Sequence, residues 1–67
     1  MIKPTKERCI GGWIEVTYTL PRLQAREVAK KYFARYPKQG YDTYIPYWHV
    51  TEDGEIFFKI RRLPTCD

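Results

Sequence analysis

Residues 55–63, EIFFKIRRL, combine side chains that could contact a nucleic acid. The apolar residues fall at 56, 58 and 60, which places them on one face of a predicted strand. The other face carries Phe57, Lys59 and Arg61. An aromatic ring between cations can stack on a base and neutralise phosphates, so this face is a candidate binding surface.

The residues that could form a nucleophilic centre are Cys9, Cys66 and His49. In the topology predicted below, both cysteines lie at the same end of the sheet, whereas His49 lies near the tip of a hairpin. At about 3.3 Å per strand residue, His49 is about 20 Å from Cys66. Because proton transfer requires hydrogen-bond reach, we predict no catalytic residues and no enzymatic activity.

Metal and cofactor sites are not expected either. Two cysteines and one histidine cannot complete a four-ligand structural zinc site. Gly11 and Gly12 precede a strand rather than a helix, so they do not form a phosphate-binding loop. The carboxylates of Glu52, Asp53 and Glu55 lie in a predicted turn, where solvation is expected rather than paired acid–base chemistry.

A row of basic residues forms the second candidate surface. Between Leu20 and Pro37, apolar residues recur at intervals of three and four, which predicts an amphipathic helix. Arg22, Arg26 and Lys30 lie on its polar side at intervals of four. With five cations and one acid, this segment accounts for the chain's net charge of +4, which favours an anionic partner.

The length of 67 residues limits the chain to one core. We expect residues 1–10 to be a flexible arm and residues 11–67 to be a single α+β domain. No apolar run approaches the roughly 20 residues of a membrane helix, and the first residues lack the apolar core of a signal peptide. We therefore expect a cytoplasmic protein with no membrane partner.

The remaining segments predict the order β-α-β-β. The first strand covers 12–19, and the second, YDTYIPYWHV, contains Pro46 and must therefore lie at an edge or bulge there. A right-handed crossover makes these two strands parallel, and the third strand can pair between them. The expected fold is a two-layer sandwich, with a three-stranded mixed sheet in the order 1-3-2 and one helix on one face.

The turn between the last two strands decides which side chains share a face. A two-residue Asp53-Gly54 loop would place Glu52 opposite Glu55, which is unfavourable for like charges. A type I turn over 51–54 with a G1 bulge places Trp48 opposite Phe58 instead. We prefer this second register. It sends Trp48 and Val50 into the core, and leaves a set of side chains outside: Ile45, Tyr47 and His49.

The predicted function is that of a small basic module that binds nucleic acid. The expected contacts are Trp13, Tyr47, His49, Phe57, Lys59 and Arg61 on the open sheet face, supported by Arg22, Arg26 and Lys30 on the helix. A solvated sheet face without a ligand is an equally simple interpretation. The short β-α-β-β layout also resembles that of small phage-encoded proteins that block host machinery, which implies a protein-binding inhibitor or adaptor as the alternative.

Overall fold

Four strands, one regular helix and one short irregular helical turn at Lys38–Tyr41 make up the part of the chain that is described. A computed structural model describes residues 3–64. In chain order, its elements are β1 (Lys6–Ile10), β2 (Trp13–Leu20), α1 (Arg22–Arg35), α2 (Lys38–Tyr41), β3 (Tyr44–Val50) and β4 (Ile56–Arg62). The predicted α+β class with one main helix is confirmed. No helix within 3–64 is long and apolar enough to cross a membrane.

The long helix α1 begins and ends at prolines. Pro21 has an extended ψ of 152° and stands immediately before the helix, and its carbonyl accepts the backbone N–H of Ala25 at 2.8 Å. Pro37 cannot continue the helix because it lacks an N–H and restricts the residue before it. The last N–H in the helical pattern is that of Tyr36, which donates to Tyr32 at 2.8 Å.

The sheet has four strands in the order β1-β2-β4-β3. The expected three-stranded mixed sheet is wrong, because every neighbouring pair is antiparallel and Lys6–Ile10 adds a fourth strand. The three predicted strands occur as β2, β4 and β3 in that spatial order. Residues 6–10, which we expected within a flexible arm, pair with β2 instead.

Glycines set both hairpin turns. Gly11 and Gly12 have φ angles of 53° and 87° and join β1 to β2. Two consecutive positive φ angles are typical of a type I′ turn, whose twist suits a two-residue hairpin. At the other hairpin, Gly54 has a φ of 82° and its N–H donates to the Thr51 carbonyl at 3.0 Å. Trp48 pairs with Phe58, so the preferred register is confirmed.

The hydrophobic core lies between α1 and the two central strands. Its buried members are Val16, Tyr18, Ala25, Phe58 and Ile60. The Tyr18 and Phe58 rings stack at 5.3 Å between centroids. Among the apolar residues of α1, Val28, Ala29 and Tyr32 pack against it, whereas Phe33 is half-buried outside the cluster.

Arg62 contacts two tyrosine side chains near the C-terminal end of α1. Its Nε donates to the Tyr32 hydroxyl at 2.9 Å, and its guanidinium carbon lies 3.8 Å from the centroid of the Tyr36 ring. A cation also interacts favourably with the carbonyls at a helix C-terminus. Cys9 is exposed on β1, and its expected proximity to Cys66 falls outside the described residues.

Candidate functional site

We call the side of the sheet away from α1 the open face. No described element within 3–64 covers it. Its side chains on the four strands are Lys6, Arg8, Ile10, Trp13, Glu15, Thr17, Thr19, Tyr44, Tyr47, His49, Phe57, Lys59 and Arg61. All six residues predicted for the sheet surface lie on it.

Three aromatic rings cluster near the β3–β4 hairpin. His49 and Phe57 are cross-strand partners and stack at 4.8 Å between centroids, with an angle of 25° between the ring planes. Tyr47 meets His49 edge-on at 5.4 Å and is 51% exposed. The cluster therefore presents ring surface to solvent beside Lys59, which pairs with Tyr47 in the register.

Trp13 lies at the other end of the open face. Its ring meets Tyr44 edge-on at 5.5 Å, across the end of β4 that carries Arg61. Trp13 is half-buried. Tyr44 was not predicted as a site residue. The bulge at Pro46 places it on this face, since three residue steps on β3 match two on β4 between Tyr44 and Tyr47.

A buried carboxylate connects three strands of the open face. Glu15 is only 2% exposed, and its two oxygens accept hydrogen bonds from Arg61 Nε at 2.7 Å and Arg8 Nε at 3.2 Å. The hydrogen bond from Arg61 lowers the pKa of Glu15, with a further contribution from Arg8, while burial acts in the opposite direction. The carboxylate is therefore ionised at neutral pH, and it orients both guanidinium groups.

The open face nevertheless keeps an excess of positive charge. Four cations on its strands, Lys6, Arg8, Lys59 and Arg61, face the open side, whereas Glu15 is the one acid among the strand residues that face it. Because Glu15 already pairs with both arginines, the two lysines have no ion-pair partner among residues 3–64. Of the six contact residues predicted on this face, Tyr47 and His49 are exposed, whereas Trp13, Phe57, Lys59 and Arg61 are half-buried. Arg61 is also held by its ion pair with Glu15.

The basic residues of α1 lie on the opposite side of the sheet. Arg22 and Arg26 line a groove between α1 and β3, together with Trp48. Lys30 is exposed and does not line this groove. The nine predicted contact residues therefore belong to two separate surfaces, and the sheet lies between them.

Predictions for three side chains on β3 are wrong, two in their burial and one in its face. Trp48 and Val50 face the helix side as expected, but they are 62% and 57% exposed, so they do not belong to the core. Ile45 was expected on the open face, but it lines the helix-side groove because of the bulge at Pro46. We call Ile45, Trp48 and Val50 the exposed apolar strip. Its exposure was missed because the sequence does not reveal how far one helix extends across the sheet.

Comparisons with known proteins add no further assignment. No protein-family model matches the chain, and neither does any curated protein or solved structure. Within residues 3–64, no group of three His, Cys, Asp or Glu side chains is arranged to hold a metal ion.

Proposed function

We propose that this domain binds single-stranded nucleic acid across the open face of its sheet. The observation that carries the proposal is the cluster of Tyr47, His49 and Phe57 beside Lys59. No described element covers this face, and the one acid that its strands present there, Glu15, is already paired with two arginines. Aromatic rings supply stacking surfaces for unpaired bases, and unpaired lysines neutralise phosphates. A cytoplasmic setting belongs to the same proposal, since an exposed free thiol such as Cys9 suits a reducing compartment.

The path of the bound nucleic-acid strand follows from the positions of the charges on the open face. Lys59 lies between the ring cluster and the Trp13–Tyr44 pair, on the same face of the sheet. Bases stacked on Tyr47 would therefore place the adjoining phosphates over Lys59. Arg61 has a positioning role, because its Nε is committed to Glu15 at 2.7 Å.

The test is a titration of single-stranded oligothymidylate of about 12 nucleotides, compared with a duplex of the same length, at about 50 and 200 mM salt. Trp48→Phe leaves Trp13 as the only tryptophan, so quenching of its fluorescence reports the open face. We expect the single strand to bind more tightly. We also expect Phe57→Ala to cost about 1–3 kcal/mol of binding free energy.

Charge variants separate local contact from overall attraction. Lys59→Gln should reduce the slope of log affinity against log salt by about 0.7, the value for one phosphate contact on a single strand. Lys31→Gln removes the same charge from α1, away from the open face, and should change the slope less. Undiminished binding by a folded Phe57→Ala protein, or affinity that does not vary with salt, would refute the proposal.

Protein binding is the second candidate function, and a different observation favours it. The exposed apolar strip on the helix side lies beside two arginines, and apolar residues with arginine are typical of protein interfaces. Nothing in this candidate depends on the open face.

A further inference from the structure

A groove lies on the helix side of the sheet, between α1 and β3. It encloses about 290 Å³, near the lower limit for ligand pockets. Ile56 and Phe58 form its floor, Ile45 and Trp48 form the β3 wall, and Arg22 and Arg26 stand on the α1 rim. Beyond Trp48, the exposed apolar strip continues to Val50. The apolar surface is therefore longer than the groove itself.

The groove exists because one helix cannot cover four strands. A helix with its side chains is about 10–12 Å wide, whereas neighbouring strands lie about 4.8 Å apart. The helix α1 packs on β2 and β4, which leaves the helix side of β3 uncovered. A second helix beside α1, at the usual spacing of about 8–10 Å, would complete this layer.

The charge beside the groove indicates which side chains a second helix in this position would carry. Arg22 and Arg26 form no salt bridge with any residue of 3–64, and α1 carries Glu27 as its single acid. An apolar surface beside two unpaired arginines is complementary to apolar side chains flanked by carboxylates. A second copy of this chain would bring a second pair of arginines to the same interface, and this like-charge contact is unfavourable.

The shape of β3 also disfavours the addition of a strand at its edge. Pro46 has no N–H to donate, and the bulge beside it interrupts the regular ladder. A helix laid on the side chains of β3 needs neither of these backbone groups. It would use the groove as a socket for its large apolar side chains.

We propose that the exposed apolar strip and its arginine rim bind an acidic amphipathic helix of a partner protein. The partner's apolar side contacts Ile45, Trp48 and Val50, and its Asp or Glu side chains pair with Arg22 and Arg26. This site deepens the protein-binding candidate and is independent of the nucleic-acid proposal, because it lies on the opposite side of the sheet.

The probe is a designed helical peptide of about 18 residues, which is about 27 Å long and matches the roughly 23 Å of β3. It carries leucines at i, i+3, i+4 and i+7 with glutamates on the flanks, and a control peptide replaces every glutamate with lysine. In a Trp13→Phe background, Trp48 is the remaining tryptophan and its emission reports the strip. We expect the acidic peptide to shift Trp48 emission to shorter wavelength, and the lysine peptide to leave it unchanged.

Two matched pairs of charge-reversal substitutions test whether Arg22 and Arg26 are responsible for peptide binding. The pair Arg22→Glu and Arg26→Glu should weaken acidic-peptide binding by about tenfold or more. The pair Lys31→Glu and Lys38→Glu makes the same change in net charge at exposed positions outside the groove, and should weaken binding much less.

Four outcomes would overturn the inference. The first is an equal loss of peptide affinity in the two pairs of charge-reversal variants, and the second is no change in Trp48 emission with the acidic peptide at about 1 mM. The third is a shift of Trp48 emission caused by protein concentration alone, and the fourth is displacement of the bound peptide by oligothymidylate. The shift with protein concentration would mean that a second copy covers the strip, and displacement would mean that nucleic acid occupies it. Failure of oligonucleotides to quench Trp13 would refute the open-face proposal and leave this inference intact.

Discussion

The two edge strands, β1 and β3, are both exposed along almost their full length, yet they present different chemistry on the helix side of the sheet. There β1 carries Glu7 and Cys9, which are opposite Val16 and Ile14. In the same layer, β3 carries the exposed apolar strip. Since α1 leaves both edges uncovered, exposure alone does not distinguish them, and side-chain chemistry does.

Each edge strand also limits edge-to-edge pairing in its own way. Charged residues on an edge disfavour pairing with another chain, and β1 has Lys6, Glu7 and Arg8 in succession. The strand β3 has Pro46 and a bulge instead. The edge of β1 is therefore suited to solvent in both its backbone and its side chains. The backbone of β3 is also protected from pairing, but its apolar side chains remain exposed to solvent. An apolar patch of this kind is a recognised sign of an interaction surface.

The largest expected effect compares the directly paired residues Phe58 and Trp48. Phe58 is 3% exposed within the core, so Phe58→Ala should cost about 3–5 kcal/mol of unfolding free energy. Trp48→Ala removes a larger side chain, but because Trp48 is mostly exposed it should cost less than about 1 kcal/mol. Urea titrations of both variants measure this contrast. Equal losses would show that the strip belongs to the core and that the two edges do not differ in this way.

The next effect concerns the side of the sheet nearer β1, where Glu15 links Arg8 to Arg61. The hydrogen bond from Arg61 holds the pKa of Glu15 below its ordinary value in the folded protein. A lowered folded-state pKa means that the ion pairs stabilise the fold fully above about pH 4.3, the value for an unfolded chain. This stabilisation is lost as the pH falls through the folded-state pKa.

Glu15→Gln should therefore reduce stability by about 1–3 kcal/mol at pH 7, because two guanidinium groups lose their acceptor charge. The difference from the parent protein should shrink steadily as the pH falls below 4.3. Unfolding midpoints measured from pH 7 down to about pH 2 test this. Glu52→Gln, an exposed carboxylate in the turn, is the matched control and should leave the profile nearly unchanged. A constant difference at every pH would show that the charge of Glu15 is not what stabilises the fold.

The central part of the fold could be predicted from the sequence, because its signals are local and strong. The periodicity of α1 between two prolines predicts one helix, and Asp53-Gly54 with like charges at Glu52 and Glu55 indicates the correct register of the last hairpin. The strand β1 was missed because an edge strand that is exposed on both faces shows no alternation. The signal that could have revealed it is Gly11-Gly12, a pair that favours a type I′ hairpin turn.

The candidate site was predictable only where strand alternation alone decides the face. Phe57, Lys59 and Arg61 lie on the open face as their spacing predicts. The position of Ile45 depended on the residue at which the Pro46 bulge occurs, and a shift of one residue reverses the face. The exposure of Trp48 depended on the width of the sheet relative to one helix. These are tertiary quantities, and neither propensity nor periodicity encodes them.

The smallest expected effect on stability comes from exchanging the chemistry of the two edges. Val50→Thr makes β3 more like β1 while it keeps a β-branched side chain suited to a strand. Because Val50 is 57% exposed, the unfolding free energy should change by no more than about 0.5 kcal/mol. The reciprocal changes Glu7→Val and Cys9→Val create an apolar strip on β1, and should lower solubility with a similarly small effect on stability. Urea midpoints together with the protein concentration at which light scattering rises measure both effects. A loss of unfolding free energy above about 1 kcal/mol for Val50→Thr would mean that Val50 contributes to folding. A small loss together with weaker binding of the acidic peptide would mean that the exposed edge of β3 serves recognition rather than the core.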